Sequence, residues 1–248
     1  MLKILFHDRH LIAVHKPSGQ FVHATNLDRT AGLPLLQEVR DEIGSLVFPF
    51  HRLDRAASGI VVFGLSPDTA AAMGRLFAAR RVTKEYAALV RGFCTTCRID
   101  RPLQRRRSRK AASPDNLQSA VTDVTCLRRY EIPEPSEQFA TVRCSLIRAV
   151  PGTGRFHQLR RHLNGISHPI VGDTSHGDTR RNRIFRIRFG SSRLMLAATR
   201  LTFDHPVTGR NVCIECDPAD DFQQVVSRLQ PYATDDQSVG ELAVRSGS

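Results

Sequence analysis

The chain of 248 residues predicts an α+β fold, on three observations. Short apolar runs of strand length outnumber stretches with helical spacing, they do not alternate with helices as regular βαβ units, and no internal repeat is visible. Ile4-Leu5-Phe6 and Leu11 to His15 read as two strands, ended by the turn-forming Lys16-Pro17-Ser18-Gly19. Leu33 to Ile43 has helical spacing through Leu35, Leu36, Val39 and Ile43. Ile60-Val61-Val62-Phe63 has the continuous apolar character of a buried strand. A helix follows with a clear start: Ser66 as N-cap, Pro67 at the first helical position and Asp68 where the dipole favours an anion. Ala71, Met73, Leu76 and Phe77 form its apolar face, and Arg80-Arg81 its cationic end. Strands are expected at Tyr86 to Val90, Val121 to Leu127 and Phe139 to Ile147. Gly154 to Leu163 reads as a short helix, Leu194 to Phe203 and Val212 to Glu215 as strands, and Phe222 to Leu229 as the last helix.

Composition narrows the partners. The chain carries 36 Lys+Arg against 24 Asp+Glu, a formal net charge of +12, which favours a polyanion bound through counterion release. No long apolar span or basic-then-apolar leader is present, so a cytoplasmic protein without membrane attachment is expected. Three Tyr and no Trp leave few platforms for stacking single strands. Six cysteines include two CxxC pairs, Cys94/Cys97 and Cys213/Cys216, which could in principle build a four-thiolate zinc site. Asn211 to Cys216, however, alternates like a strand, where residues three apart face opposite ways. His157 and His162 are five apart and share no helical face, and there is no HExxH. Reduced thiols and no metal are expected.

Two segments face outward on charge grounds. Gln104 to Ser119 (QRRRSRKAASPDNLQS) reads as a solvated loop that RNA could order. His176 to Ser192 interleaves Arg180, Arg181, Arg183, Arg186 and Arg188 with Ile184, Phe185, Ile187 and Phe189; the alternating stretch Ile184 to Phe189 reads as a strand with one cationic face, expected to contact RNA, with only Asp173 and Asp178 as nearby acids.

The most informative stretch is His51-Arg52-Leu53-Asp54-Arg55, leading through Ser58-Gly59 into the apolar run. A carboxylate between two permanently charged guanidiniums stays ionised, available as a nucleophile or a base. In an extended segment Arg52 and Asp54 share a face and Arg55 takes the other. A surface ion pair ahead of a core strand fits these five residues equally well.

HRLDRAASGIVVFGLS resembles the central motif of the RluA-type pseudouridine synthases, and other motifs follow in order: LIAVHKPSG at Leu11 to Gly19, TKEYAALVRG at Thr83 to Gly92, GTGRFHQLRRH at Gly152 to His162, and RLMLAATRLTFDHPVT at Arg193 to Thr208. The resemblance runs from Met1 to about Phe222. It implies a mixed, largely antiparallel sheet core with flanking helices, no S4-type domain and one catalytic domain over residues 1–230; the remaining tail, 231–248, reads as disordered. It also implies Asp54 as the catalytic carboxylate, Tyr86 packed on the target base, Arg155 paired with the aspartate, and Arg52 filling the gap left by a flipped nucleotide. The reaction needs no cofactor. Within the family the wording is closest to enzymes that act on tRNA, at the uridine of position 65 in the T stem, and a monomer is expected. Ribosomal RNA or another tRNA site is the alternative substrate, and a non-catalytic RNA-binding protein the alternative class. Two positions depart from the family pattern: Ala57 replaces a threonine and Ala197 a histidine.

Overall fold

The computed structural model describes residues 2–23, 32–105, 116–133, 141–177 and 179–234. The chain divides into two compact units, Met1–Tyr86 with Leu196–Asp220, and Ala87–Met195 with Asp221–Ser248.

In the first unit, β1 (Ile4–His7), β2 (Leu11–Lys16), β4 (Ser58–Gly64) and β11 (Leu196–Asp204) are neighbours in that order. β3 (Phe48–Pro49) pairs with β4, and β12 (Asn211–Glu215) with β11. β1–β2, β2–β4 and β11–β12 are antiparallel, whereas β4 and β11 run parallel. All seven residues of β4 are buried, which explains its unbroken apolar reading. At Gly59 (φ +113°) a Cβ would overlap the Ala198 backbone, so the parallel contact of β4 with β11 requires glycine. α1 (Leu35–Ile43) buries Leu35 and Val39. α2 (Pro67–Ala78) opens as expected, with the Ser66 hydroxyl accepting from the Thr69 N–H at 3.2 Å. Met73 carries α2 into a core with Leu11, Ala13, Ile60, Val62, Leu201, Phe203 and Ile214.

β5 (Val82–Arg91) supplies its first half to this unit and its second half to the other. In the second unit, β9 (Val121–Pro133) pairs antiparallel with β10 (Thr141–Pro151) and with β6 (Cys97–Asp100). β7 (Leu103–Gln104) and β8 (Leu117–Gln118) close a two-stranded ribbon. The ends of the basic Gln104 to Ser119 segment are thus paired, while its middle, 106–115, lies outside the described residues. α3 (Gln158–Gly165), α4 (Thr179–Phe189) and α5 (Asp220–Leu229) complete the elements.

Three expectations are corrected. The arginine-rich stretch is the helix α4 and not a strand. Its buried residues Phe185 and Phe189 stand four apart, and Asn182 sits on the same side, its amide joining the Gly172 N–H (3.0 Å) and the Asp173 carbonyl (3.0 Å). The local alternation at 184–189 leaves Ile187 67 % exposed. The helix expected from Gly154 begins only at Gln158, because His157 adopts a left-handed conformation that helical geometry excludes. Finally, Pro231 to Thr234 are held: Gln230–Tyr232 form a 3-10 turn, Ala233 bridges Tyr130, and the Thr234 N–H donates to the Arg129 carbonyl. Residues 235–248 of the expected tail lie outside the described residues.

Candidate active site

The segment His51 to Ala57 is a loop that only becomes strand at Ser58. Leu53 is buried, Asp54 half-buried and Arg52 exposed, so the alternation expected of Arg52, Leu53 and Asp54 survives without a strand. The loop is braced by the turn after β2. Lys16 is fully buried, and its ammonium donates to the carbonyls of Pro17 (2.8 Å), Gln20 (2.9 Å) and Arg55 (3.0 Å). Ser18 Oγ donates to the Ala56 carbonyl at 2.6 Å, and the Gly19 N–H to the Arg55 carbonyl at 2.8 Å. Arg55 returns the contact through Nε to the Gly19 carbonyl (2.9 Å), with its guanidinium 4.7 Å from the Phe21 ring centre. Within the loop the Ala57 N–H donates to the Asp54 carbonyl at 3.1 Å, and Ala57 is fully buried, so the side chain there meets packed surroundings. The two sequence motifs are therefore one structural device: a buried cation and a tight turn that fix the backbone around Asp54.

His51, Arg52, Leu53, Ile60, Lys84, Tyr86, Ala198, Arg200 and Leu201 line a narrow cleft. His51 is locked behind it. Its Nε2 accepts the Val62 N–H at 2.9 Å and its ring stacks on Phe77 with centres 4.8 Å apart. Burial, with the Lys84 charge adding to it, lowers the His51 pKa to about 3, so the imidazole is neutral. Burial and then the charge of Asp54 push the Tyr86 phenol far up from its ordinary range. It remains a neutral donor, and the coupling shows that Asp54 lies within electrostatic reach of it. Arg200 is neutralised by Glu85 (3.8 Å) and Glu215. Arg52, Asp54 and Tyr86, all expected at the site, thus belong to one unit and one neighbourhood.

Arg155 belongs to the second unit. Its turn is held by Gln158, whose Oε1 accepts from Thr153 Oγ1 (2.6 Å) and the Arg155 N–H (3.0 Å). Gln158 Nε2 donates to the Val121 carbonyl (2.8 Å) and Thr122 Oγ1 (3.1 Å), and Arg155 Nε to the Ser119 carbonyl (2.9 Å). Farther along α3, Arg160 grips Asp173 with two bonds of 2.8 and 2.7 Å, both groups buried. Burial alone would raise the Asp173 carboxyl, but the bonds from Arg160 and from the His176 and Ser175 N–H groups outweigh it and hold the carboxyl below its usual range. Asp173 is therefore committed to Arg160 and to the Ser175 and His176 backbone.

Sequence reasoning missed His51, Lys84 and Arg200 as cleft residues. For Lys84 a signal existed: it stands two residues before Tyr86 in a strand and so shares its face. The cysteines build no evident metal centre; among the described residues there is no group of three or more His, Cys, Asp or Glu that could hold an ion. Cys94 is buried, which with the nearby thiols of Cys97 and Cys126 raises its pKa to about 12. No described helix is long and apolar enough to cross a membrane.

Comparisons with known proteins agree with this geometry. Over 234 residues the chain is 43 % identical to tRNA pseudouridine synthase C of Vibrio cholerae, covering 92 % of this chain and 96 % of that protein. Identity to the protein of the same name from Pasteurella multocida is 44 % over 218 residues, covering 86 % and 90 %. Among solved structures, human RNA pseudouridylate synthase domain containing 4 matches with a TM-score of 0.69 at 26 % identity, covering 92 % of each chain. Human RNA pseudouridylate synthase domain containing 1 matches in fold, with a TM-score of 0.69 at 24 % identity over 92 % of this chain and 94 % of that one. The family model for RNA pseudouridylate synthase covers residues 10–165, from the strand that braces the Asp54 loop to the end of the helix behind Arg155, and the chain belongs to that family.

Proposed function

We propose that this pseudouridine synthase acts on tRNA in the cytoplasm, as a monomer, at the uridine of position 65 in the T stem. The names and identities of the relatives support tRNA as the substrate class, and the wording of the motifs supports the position. The net charge of +12 suits a folded polyanion.

The observation that carries the catalytic reading is Asp54 within electrostatic reach of the neutral, half-buried Tyr86 that lines a cleft. A paired T-stem uridine hides C1′ and C5 within an A-form helix, so it must be flipped out, at a cost of a few kcal/mol that phosphate and pocket contacts offset. The base then packs on Tyr86, and exposed Arg52 occupies the gap it leaves. Asp54 takes the C2′ proton as the N1–C1′ bond breaks, and the electron pair of that bond leaves on N1. The uracil turns, C5 joins C1′ with the electron pair of the uracil anion, the proton returns to C2′, and the C5 proton is lost to water while N1 takes one up. The product is an isomer of the substrate, so no redox partner or group donor enters the balance. By resemblance, Arg155 is the residue assigned to partner the catalytic aspartate. Residues 1–230 act as one catalytic domain in this reading.

The test is a map of pseudouridines in tRNA and ribosomal RNA from cells lacking the protein, restored with wild type or Asp54→Asn. Loss confined to the T stem, rescued by wild type alone, is the expected result. Loss at a ribosomal site overturns the substrate, and rescue by Asp54→Asn overturns the catalytic role and favours an RNA-binding protein without turnover.

A further inference from the structure

Of the three cations lining the cleft, Lys84 has the least obvious reason to be there. Arg200 has its two carboxylates, and Arg52 is exposed to solvent. Lys84 is half-buried, and among the described residues no hydrogen-bond acceptor or carboxylate meets its ammonium. The nearest recorded partner is the Phe77 ring, 5.9 Å from Nζ. His51 stands close enough for the Lys84 charge to act on it, yet its Nε2 lone pair is already taken by the Val62 N–H, so it offers Lys84 no acceptor on that side. Burial lowers the Lys84 pKa from an ordinary lysine's, as it must when water is displaced from a cation and nothing replaces it. An uncompensated buried charge costs stability, and it persists where the missing partner arrives with the substrate.

The chemistry of the reaction supplies that partner. When N1–C1′ breaks with its electron pair on N1, the detached uracil is an anion whose charge spreads to O2 and O4. Tyr86 marks the place of the base, and Lys84 sits two residues away on the same strand face. We propose that the Lys84 ammonium donates a hydrogen bond to a carbonyl oxygen of the displaced uracil and stabilises the uracil anion between bond cleavage and rejoining. This rests on the catalytic reading given above. Lys84 neither gains nor loses a proton; it stays an ammonium throughout, and in a poorly hydrated cleft its interaction with a developing anion exceeds that with the neutral base.

The experiment compares Lys84→Met, Lys84→Gln and Lys84→Arg with wild type and Asp54→Asn in single-turnover and steady-state kinetics on a tRNA transcript, with thermal melting of each protein. Lys84→Met and Lys84→Gln should lower kcat about 100-fold, in line with removal of one preorganised donor to a developing anion. KM for the transcript should stay within about threefold, since the gain is made after binding. Lys84→Arg should recover at least about tenfold over Lys84→Gln, because it restores the charge but not the shape. Lys84→Met should melt no lower than wild type, because it removes a poorly solvated charge and keeps the apolar stem. Intact kcat with weakened transcript binding would mean a phosphate contact and would overturn the inference, as would unchanged kinetics or equal rates for Lys84→Arg and Lys84→Gln. Either result with an inactive Asp54→Asn sinks Lys84 alone; an active Asp54→Asn sinks the catalytic reading with it.

Discussion

At the residue scale the site depends on charges whose partners are built in. Lys16 satisfies three backbone carbonyls at once, so Lys16→Met leaves buried acceptors unmatched around the Asp54 loop. We expect it to lower stability by about 3 kcal/mol and turnover further, measured by urea unfolding and initial rates. His51 gives a pH signature. Its folded pKa, about 3, lies below the 6.5 of the free side chain, so between these values the unfolded chain binds more protons than the native one. Stability from this group is present above about pH 6.5 and lost on acidification towards pH 3, with a slope of at most about 1.4 kcal/mol per pH unit. Urea midpoints for wild type should fall more between pH 7 and 5 than those for His51→Gln; parallel falls would refute the assignment. Much of this scale was readable in advance. Arg52, Asp54 and Tyr86 come together as motif order implied, whereas the neutral state of His51 and the isolation of Lys84 required knowing what packs against them.

At the element scale, strands and helices with an internal rule were legible and those ruled by context were not. α2 has its N-cap, proline and apolar face in the sequence, and Ser66→Ala should cost about 1 kcal/mol in thermal or chemical unfolding. Gly59 instead answers to a neighbour distant in the chain, the Ala198 backbone: Gly59→Ala must push β11 from β4, and should cost more than 3 kcal/mol or abolish soluble expression. α4 too is ruled by context. Residues 184–189 alternate like a strand, yet Phe185 and Phe189 are what the core takes up, and they are one helical turn apart. Phe185→Ala should cost about 3–5 kcal/mol, while an exposed Ile187→Ala should change stability by less than about 0.5 kcal/mol. The start of α3 was missed for a similar reason. Gln158 bonds across to Thr153, Val121 and Thr122, and such long-range bonds leave no periodic trace.

At the scale of the whole molecule, charge governs the encounter with RNA. With a net charge of +12, transcript affinity should fall steeply with salt, log K declining linearly with log salt. Arg52→Ala should reduce that slope by about one and weaken binding without lowering the melting temperature, since its side chain is exposed. An unchanged slope and turnover would remove Arg52 from the interface. The amino-acid order alone determined the family and most strands and singled out Asp54 as the candidate catalytic acid, because these depend on short contiguous patterns and on motif succession. Only the tertiary structure decided which charges are answered inside the protein and which are left for a ligand. Asp173, a nearby acid in the sequence, is spent on Arg160, while Lys84, one of many lysines and arginines, stands unmatched among the described residues. The physical reason is that burial and pairing are properties of three-dimensional neighbours, and a charge acquires its energetic meaning from them.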